Sequence, residues 1–359
     1  MREHDFRKYL RKNPAEPLTG LAGYQSAVVI PAYNECEELP QVLVSLAEAE
    51  KNTPVAIIVV VNHPAGAPDE SSLKLLKYLK DAPFPDLFPV YAPDLAGGVG
   101  EARKIGMDSF ISSRKAVNLH DSMIYSLDAD SPVAPDYFIA TGQLLKIHTE
   151  SPGVIIAVQH RQAEDPQHNK AAREYERYIS RYAEKLAAAG SPYGFVSIGS
   201  GFAVRSDAYI KAGGMRVKKA GEDFYFLQEL AKQGTLCRTV TPLVFPSPRI
   251  SERVPFGTGQ AVKGLLKGTA LNEIPDHAFE KLAQVLAGAR DPEGFLSTPS
   301  PEIIPGDVTG FFVSEKFSHA WQSIYANTPA GHRSREQAFH RWFDGLKTLR
   351  FLHAIQRNS

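Results

Sequence analysis

Two aspartates separated by one small residue follow an apolar run in Met123-Ile124-Tyr125-Ser126-Leu127-Asp128-Ala129-Asp130. A buried strand that ends in this way can direct both carboxylates from one tight loop toward a hard divalent cation. Such a cation would stabilise the negative charge that develops when a diphosphate leaves. A solvated turn or a helix cap is the alternative for an isolated pair of this kind. The pair therefore predicts a metal site only in combination with other polar residues.

A second acidic pair, Glu222-Asp223, follows Gly221 and precedes an apolar stretch with helical spacing. If the N-terminus of that helix faces the aspartate loop, one of the two carboxylates can accept the proton of an attacking hydroxyl. Ordinary capping of the helix is the alternative, because acidic residues are favoured in a first helical turn.

Three further segments carry groups that suit a nucleotide diphosphate. In Pro31-Ala32-Tyr33-Asn34-Glu35, Tyr33 can stack on a base and Glu35 can accept from it, although a helix cap is the alternative. The glycine-rich stretch from Gly97 to Arg103 offers backbone N–H groups and a cation to phosphate, or it is only a loop. Arg249 and Arg253, in a segment with flexible glycines, predict a lid over the diphosphate, with a surface linker as the alternative.

These residues stand at the ends of alternating strand and helix patterns. Apolar β-branched runs at residues 26–30 and 55–61 and shorter runs at 88–91 and 122–127 predict strands, and helical patterns follow them. The alternation predicts an α/β fold with a mostly parallel sheet and helices on both faces. Ligands in such folds bind outside the carboxyl ends of the strands, where the polar segments lie.

The second half of the chain continues the pattern and then departs from it. Strands are predicted at 154–158, 202–204 and 236–240, and a long amphipathic helix at 171–189, whose tyrosine stripe is interpreted as core. Proline and glycine then mark a segment predicted to be rich in loops. We expect an N-terminal domain at 1–250, a lid or loop segment at 251–310 and a small helical C-terminal region at 311–359, which packs on the first domain or pairs subunits in a homodimer.

Composition excludes several classes of protein. The 359 residues include 40 basic and 40 acidic side chains, so no net charge attracts nucleic acid. Two distant cysteines suggest neither disulfides nor a zinc knuckle, and the histidines show no zinc-hydrolase spacing. The charged start and the short apolar runs predict no signal peptide and no transmembrane segment. We therefore expect a cytoplasmic protein, which can still visit the inner face of the membrane.

The motifs together resemble those of the family 2 glycosyltransferases over roughly residues 25 to 245. The resemblance rests on the loop at 31–35, Gly100-Glu101-Ala102-Arg103, Asp128-Ala129-Asp130, Gly199-Ser200-Gly201-Phe202 and Glu222-Asp223, in that order. It implies a GT-A fold and inverting transfer from a UDP, GDP or dTDP sugar, with Mn or Mg, to a sugar or lipid-linked acceptor in the synthesis of surface polysaccharide or glycoconjugates.

The same resemblance implies roles for individual residues. Asp130 would hold the metal with Asp128 beside it, Asp223 would be the base, and Glu222 would orient the acceptor. The sugar and acceptor would face Gly199, Ser200 and Gly201. The remaining positions would bind the nucleotide or its diphosphate: Pro31, Ala32, Tyr33, Glu35, Asn62, Arg103, Asp128, Ala129.

Two departures from the family pattern leave alternatives open. Asn62 stands where the family usually has an acidic residue that reads the base, so the preferred base is unsettled. The usual metal-binding histidine after the last strand is replaced by Phe245-Pro246-Ser247-Pro248-Arg249, so the metal keeps more water, or His277 reaches in, or Arg249 and Arg253 supply charge. A nucleotidyltransferase and a GT-A binding protein that has lost catalysis are the rival functions.

Overall fold

A computed structural model describes residues 1–67, 70–116, 118–218, 221–249, 257–301 and 308–357. Its sheet has seven strands in the order β3-β2-β1-β4-β6-β5-β7. All neighbouring strands are parallel except that β6 is antiparallel to both β4 and β5. The strands are β1 Ser26–Ala32, β2 Val55–Pro64, β3 Leu87–Leu95, β4 Met123–Ser126, β5 Gly153–Ile155, β6 Phe202–Arg205 and β7 Cys237–Arg238.

The chain divides into two compact units, of which the first contains residues 1–176 and 197–269. This unit contains the whole sheet. It also contains the N-terminal part of a long helix, α6, whose residues after 176 belong to the second unit. Its helices are α1 Glu3–Lys12, α2 Leu39–Glu48, α3 Glu70–Asp81, α4 Gly98–Ser112, α5 Tyr137–Ile147, α6 Pro166–Ala188, α7 Ser206–Lys211, α8 Glu222–Ala231 and α9 Thr258–Leu266.

Both faces of the central strands are buried, as their β-branched sequences predict. On one face, alternate residues such as Val28 and Ile30 of β1 share a core with apolar residues of α2, α3 and α5. On the other face, α4 approaches so closely that a Cβ at Gly106 would lie 2.5 Å from Val29 Cγ1 and 2.9 Å from Val60 Cγ2. The lack of a side chain at Gly106 therefore sets the distance between α4 and the sheet.

A buried carboxylate fixes α4 to its neighbours. Asp108 of α4 accepts hydrogen bonds from Tyr9 Oη at 2.6 Å, Tyr209 Oη at 2.8 Å and Lys104 Nζ at 2.6 Å. These bonds tie the N-terminal helix and α7 to α4, because Tyr9 belongs to α1 and Tyr209 to α7. The N-terminal turns of α4, which carry Arg103, are thereby held in place.

The second unit consists of residues 177–196 and 270–359. Its helices beyond α6 are α10 Asp276–Arg290, α11 Thr309–Ser314, α12 Phe317–Asn327, α13 His332–Trp342 and α14 Gly345–Arg357. Its core is rich in aromatic side chains, including the fully buried Trp321, whose Nε1 donates to the carbonyl of Thr298 at 3.0 Å.

The predicted α/β class, with a mostly parallel sheet, helices on both faces and a helical C-terminal region, is confirmed. The antiparallel direction of β6 was not predicted. The stretch expected to be rich in loops contains α9 and α10, and the compact units divide the chain at positions other than 250 and 310. No helix in the described part of the chain combines the length and the apolar character needed to cross a membrane.

Candidate functional site

The two aspartates leave the sheet at the carboxyl end of β4, beside the end of β1. Val29 of β1 pairs with Ser126 of β4, so the loops that follow these parallel strands emerge at the same edge. The N–H of Ser131 donates to the carbonyl of Asp128 at 3.2 Å, which closes a turn around the buried Ala129. The Asp128 side chain is 37% exposed and that of Asp130 only 16%. The turn therefore presents one open and one enclosed carboxylate.

Arg249 joins the enclosed aspartate to the loop after β1. Its Nη2 lies 2.5 Å from Glu35 Oε1 and 3.0 Å from Asp130 Oδ2. Burial, together with the negative charges of Asp128 and Glu35, raises the pKa of Asp130 to about 6 against the opposing effect of Arg249. One guanidinium group thus only partly compensates the negative charge at this point.

Arg161, which no sequence motif indicated, contacts the segment that carries Arg249, because its backbone N–H donates to the carbonyl of Pro246 at 2.9 Å. Its Nη2 donates to Glu38 Oε2 at 2.6 Å and to the carbonyl oxygen of Asp130 at 3.3 Å. Ser247 donates its N–H to the same carbonyl at 2.9 Å and its hydroxyl to Glu38 Oε1 at 3.0 Å. Its position in the sequence could have indicated a role in the site, since Arg161 follows β5 at the edge of the sheet where ligands bind.

Arg103 connects the aspartate turn with the second acidic pair. Its Nε donates to Ser126 Oγ at 3.0 Å, its Nη1 to Glu222 Oε1 and its Nη2 to Asp128 Oδ1. Burial alone would lower the pKa of Arg103, but the carboxylates of Asp128 and Glu222 raise it, so the guanidinium stays charged. Arg103 is fully enclosed in this network, and its predicted contact with the nucleotide or diphosphate stays a prediction.

Asp223 lies in the first turn of α8, beside this network. Its Oδ1 accepts a hydrogen bond from the backbone N–H of Phe224 at 2.7 Å. Burial and the negative charge of Glu222 together raise the pKa of Asp223 to about 7, against the opposing effect of Arg103. A carboxyl group that titrates near neutral pH can take up a proton in a reaction. Glu222 does not cap the helix in the structure but pairs with Arg103.

The predicted nucleotide contacts lie at the same edge with different exposure. Pro31 and Ala32 are buried at the end of β1, and Tyr33 is half-buried. Asn62, at the end of β2, is buried and donates from Nδ2 to the carbonyl of Val60 at 3.0 Å. The N–H of Gly97 donates to Glu101 Oε2 at 2.7 Å, so this amide of the glycine-rich loop is used within the protein.

The glycine segment predicted to face the sugar and acceptor lies against Arg103. A Cβ on Gly199 would overlap the Arg103 guanidinium, and one on Gly201 would lie 3.1 Å from the carbonyl of Ile156. Ser200 between them is buried, and its Oγ has no hydrogen-bond partner among the described residues. Of the remaining candidates, Arg253 is outside the described residues, and His277 belongs to α10 of the second unit.

The carboxylates of the aspartate turn are suitable ligands for a hard cation, provided that Arg249 does not occupy Asp130. Carboxylates are the ligands that Mg and Mn prefer, yet in the described part of the chain no group of three histidine, cysteine or acidic side chains is arranged to hold a metal ion. Asp130 Oδ2 is in contact with Arg249, and Asp128 Oδ1 with Arg103. Asp130 and Asp128 could thus supply two ligands to a cation, with water or phosphate as the others, if Arg249 moved away from Asp130.

No model of a known protein family matches the sequence, and no curated protein matches it. Among solved structures, residues 1–349 of S. aureus TarS in complex with UDP-GlcNAc are 12% identical with a TM-score of 0.46, over 88% of this chain and 89% of that one. The mannosyltransferase PcManGT from Pyrobaculum calidifontis in complex with GDP-Man and Mn2+ is 14% identical with a TM-score of 0.45, over 96% and 94%. Similarity this weak assigns no function, which depends on the site itself.

Proposed function

We propose that the protein is a glycosyltransferase that moves a sugar from a nucleotide diphosphate sugar to an acceptor hydroxyl with inversion. The observation that carries the proposal is the link from Asp128 through Arg103 to Glu222, beside Asp223. At the carboxyl ends of β1 and β4, this link brings two kinds of group together. Asp128 and Asp130 are suited to bind a metal ion with a diphosphate, and Asp223 is suited to act as base. Transfer from a diphosphate to a hydroxyl requires these two chemical functions close together.

The donor would lie along the loops after β1, β2 and β4. Tyr33 is half-buried and would stack on the base, and Glu35 and Asn62 would meet its polar edge. Arg249 is one-third exposed and would bind the diphosphate oxygens. A bound Mn or Mg, held by Asp130 and Asp128, would supply Lewis-acid stabilisation of the leaving diphosphate.

The need for added positive charge follows from the balance of the site. Among the described residues, carboxyl groups outnumber guanidinium groups by three in the ion pairs and close charge interactions around Asp130 and Arg103. The carboxyl groups are those of Glu35, Glu38, Asp128, Asp130, Glu222 and Asp223, and the guanidinium groups are those of Arg103, Arg161 and Arg249. An anionic diphosphate would be repelled by such a surplus. This surplus supports the proposal that a divalent cation accompanies the donor.

Asp223 would act as the base in a single displacement. The acceptor oxygen forms a bond to the anomeric carbon as the bond from that carbon to the diphosphate oxygen breaks, and the electron pair leaves with the nucleoside diphosphate. The hydroxyl proton passes to Asp223, whose Oδ1 is oriented by the N–H of Phe224. Attack from the side opposite the leaving group inverts the configuration of the sugar.

A donor screen tests the proposal directly. The purified protein is incubated with UDP, GDP and dTDP sugars, with Mn, with Mg or with a chelator, and with sugar and lipid-linked acceptors, and products are identified by mass spectrometry. We expect transfer from one donor class that stops in the chelator. The absence of both transfer and metal-dependent binding of any nucleoside diphosphate would rule the proposal out.

Asp223→Asn separates the role of the base from donor binding. We expect kcat to fall by about 10²- to 10⁴-fold, the usual contribution of a general base, while donor affinity stays within about twofold. Glu229→Gln is the matched control, because Glu229 is an acid of the same helix that pairs only with the nearby Lys232 in the described structure and lies outside the network. Normal turnover in Asp223→Asn would place the base elsewhere.

A nucleotide-binding protein without turnover is the second candidate function. The observation that favours it is the contact between Arg249 and Asp130, which occupies the carboxylate that a cation needs. Such a protein would bind a nucleoside diphosphate with the same affinity in Mn and in chelator, and it would release no free nucleotide from any donor sugar.

A further inference from the structure

Arg103 lies between the two acidic motifs and is almost completely enclosed by the protein. Its side chain is only 3% exposed, and its three nitrogens are used on Ser126 of β4, on Asp128 and on Glu222 of α8. A guanidinium group is planar and rigid, so its donors hold their partners in a fixed mutual geometry. The orientation of Asp128 and the position of the first turn of α8 therefore depend on one side chain.

The glycines of two sequence motifs make room for this arrangement. A Cβ at Gly199 would overlap the guanidinium nitrogens of Arg103. A Cβ at Gly100 would lie 2.9 Å from Glu222 Cβ, 2.7 Å from the carbonyl of Lys218 and 2.8 Å from that of Arg216. Neither glycine has a left-handed backbone, so close approach rather than turn geometry accounts for both. These contacts give Gly100 and Gly199 the packing role of admitting Arg103 and Glu222.

We propose that Arg103 is a positioning residue that couples the donor side of the site to the base side, acting through Asp128 and Glu222 without touching either substrate. This role replaces the contact with the nucleotide or diphosphate that the family resemblance implies. The inference rests on the proposed function. When Asp128 is fixed by the donor complex, the shared guanidinium fixes Glu222, which immediately precedes Asp223. Loss of the guanidinium would release both groups, so donor binding and proton removal would weaken together.

Two variants disturb this link in different ways. Arg103→Lys keeps a positive charge but cannot reach three partners in one plane, and Gly199→Ala displaces the guanidinium while all charges remain. For both we expect a donor KM raised at least about fivefold and a kcat lowered at least about tenfold. Gly142→Ala is the matched control for the glycine, because a Cβ there meets no atom within 4 Å. Its constants should equal those of the wild type.

A merely structural Arg103 would give a different result. Its loss would reduce the folded fraction, which lowers the apparent kcat in proportion and leaves KM unchanged. The concentration of folded active sites is therefore measured for each variant by titration with the nucleoside diphosphate that the wild type binds, together with Mn. Unchanged KM and kcat per folded site in Arg103→Lys and Gly199→Ala would overturn the proposal.

Mutant cycles test the coupling even if those two variants fold poorly. Asp128→Asn and Glu222→Gln, alone and combined, are compared in kcat/KM, and groups joined by one network should show non-additive effects of at least about fivefold. Combined effects that simply multiply would overturn the inference while leaving the glycosyltransferase proposal standing. A wild type with neither transfer nor nucleoside diphosphate binding would instead remove the proposed function, and the inference with it.

Discussion

Arg249 and a divalent cation would compete for one carboxylate, since the guanidinium lies 3.0 Å from Asp130 Oδ2. Two positive charges at such distances repel each other, and a repulsion of only about 1.4 kcal/mol changes an equilibrium constant tenfold. We therefore expect Arg249→Gln to bind Mn2+ about tenfold more tightly than the wild type in the absence of nucleotide. Calorimetry or the electron paramagnetic resonance signal of free Mn2+ measures this affinity.

The same substitution should weaken the binding of a nucleoside diphosphate with Mn2+, because the proposed function has Arg249 bind the diphosphate oxygens. Arg7→Gln is the matched control, since Arg7 is an exposed arginine that pairs with Glu3 of α1 and does not contact this network in the described structure. Equal Mn2+ affinity in Arg249→Gln and the wild type would mean that the cation does not bind to Asp130.

The proposal that Asp223 is the base predicts a pH dependence of definite sign for the reaction. A base works when it is deprotonated, and burial raises the pKa of Asp223 to about 7. In the free enzyme, kcat/KM should therefore fall by tenfold per pH unit below about pH 7 and level off above it. Profiles of kcat/KM from pH 5.5 to 9 measure this dependence, with metal saturation verified at each pH. A profile that is flat between pH 5.5 and 7 would exclude Asp223 as the base.

At the level of elements, helix α4 depends on a glycine at its contact with the sheet. Gly106→Ala places a Cβ 2.5 Å from Val29 Cγ1, so α4 must shift, and the free energy of unfolding should fall by about 1–3 kcal/mol. Gly142→Ala in α5 has no neighbour within 4 Å and should instead raise it by up to about 1 kcal/mol. Urea denaturation of both variants measures the change in the free energy of unfolding, which should have opposite signs. Equal changes would show that the helix propensity of the backbone alone determines the stability of both variants.

The same elements show what the sequence could predict. Runs such as Val28-Val29-Ile30 predicted strands buried on both sides, and the alternation with helices predicted their parallel order, because these signals are local. The antiparallel β6 has no local signature, since its partners are distant in the chain. The motifs at the sheet edge could be predicted because each is a short local pattern. The three-way contact of Arg103 and the contact of Arg249 with Asp130 could not, because they join residues that are distant in the chain.

At the level of the whole molecule, each compact unit has its own hydrophobic core, and both tryptophans of the chain, Trp321 and Trp342, lie in the second unit. Tryptophan fluorescence therefore reports the second core alone, while the described candidate site residues other than His277 belong to the first unit. Separate cores are expected to unfold as separate cooperative units.

A nucleoside diphosphate with Mn2+ should then stabilise only the first unit. At 100 times the dissociation constant, it should raise the free energy of unfolding of that unit by about 2.7 kcal/mol. Hydrogen exchange of peptides from β1 and β2 at increasing urea concentration measures this shift, whereas the midpoint of the tryptophan transition should not move. A shift of both signals by the same amount would show that the two cores unfold as one cooperative structure, because a ligand stabilises every part that unfolds with its site.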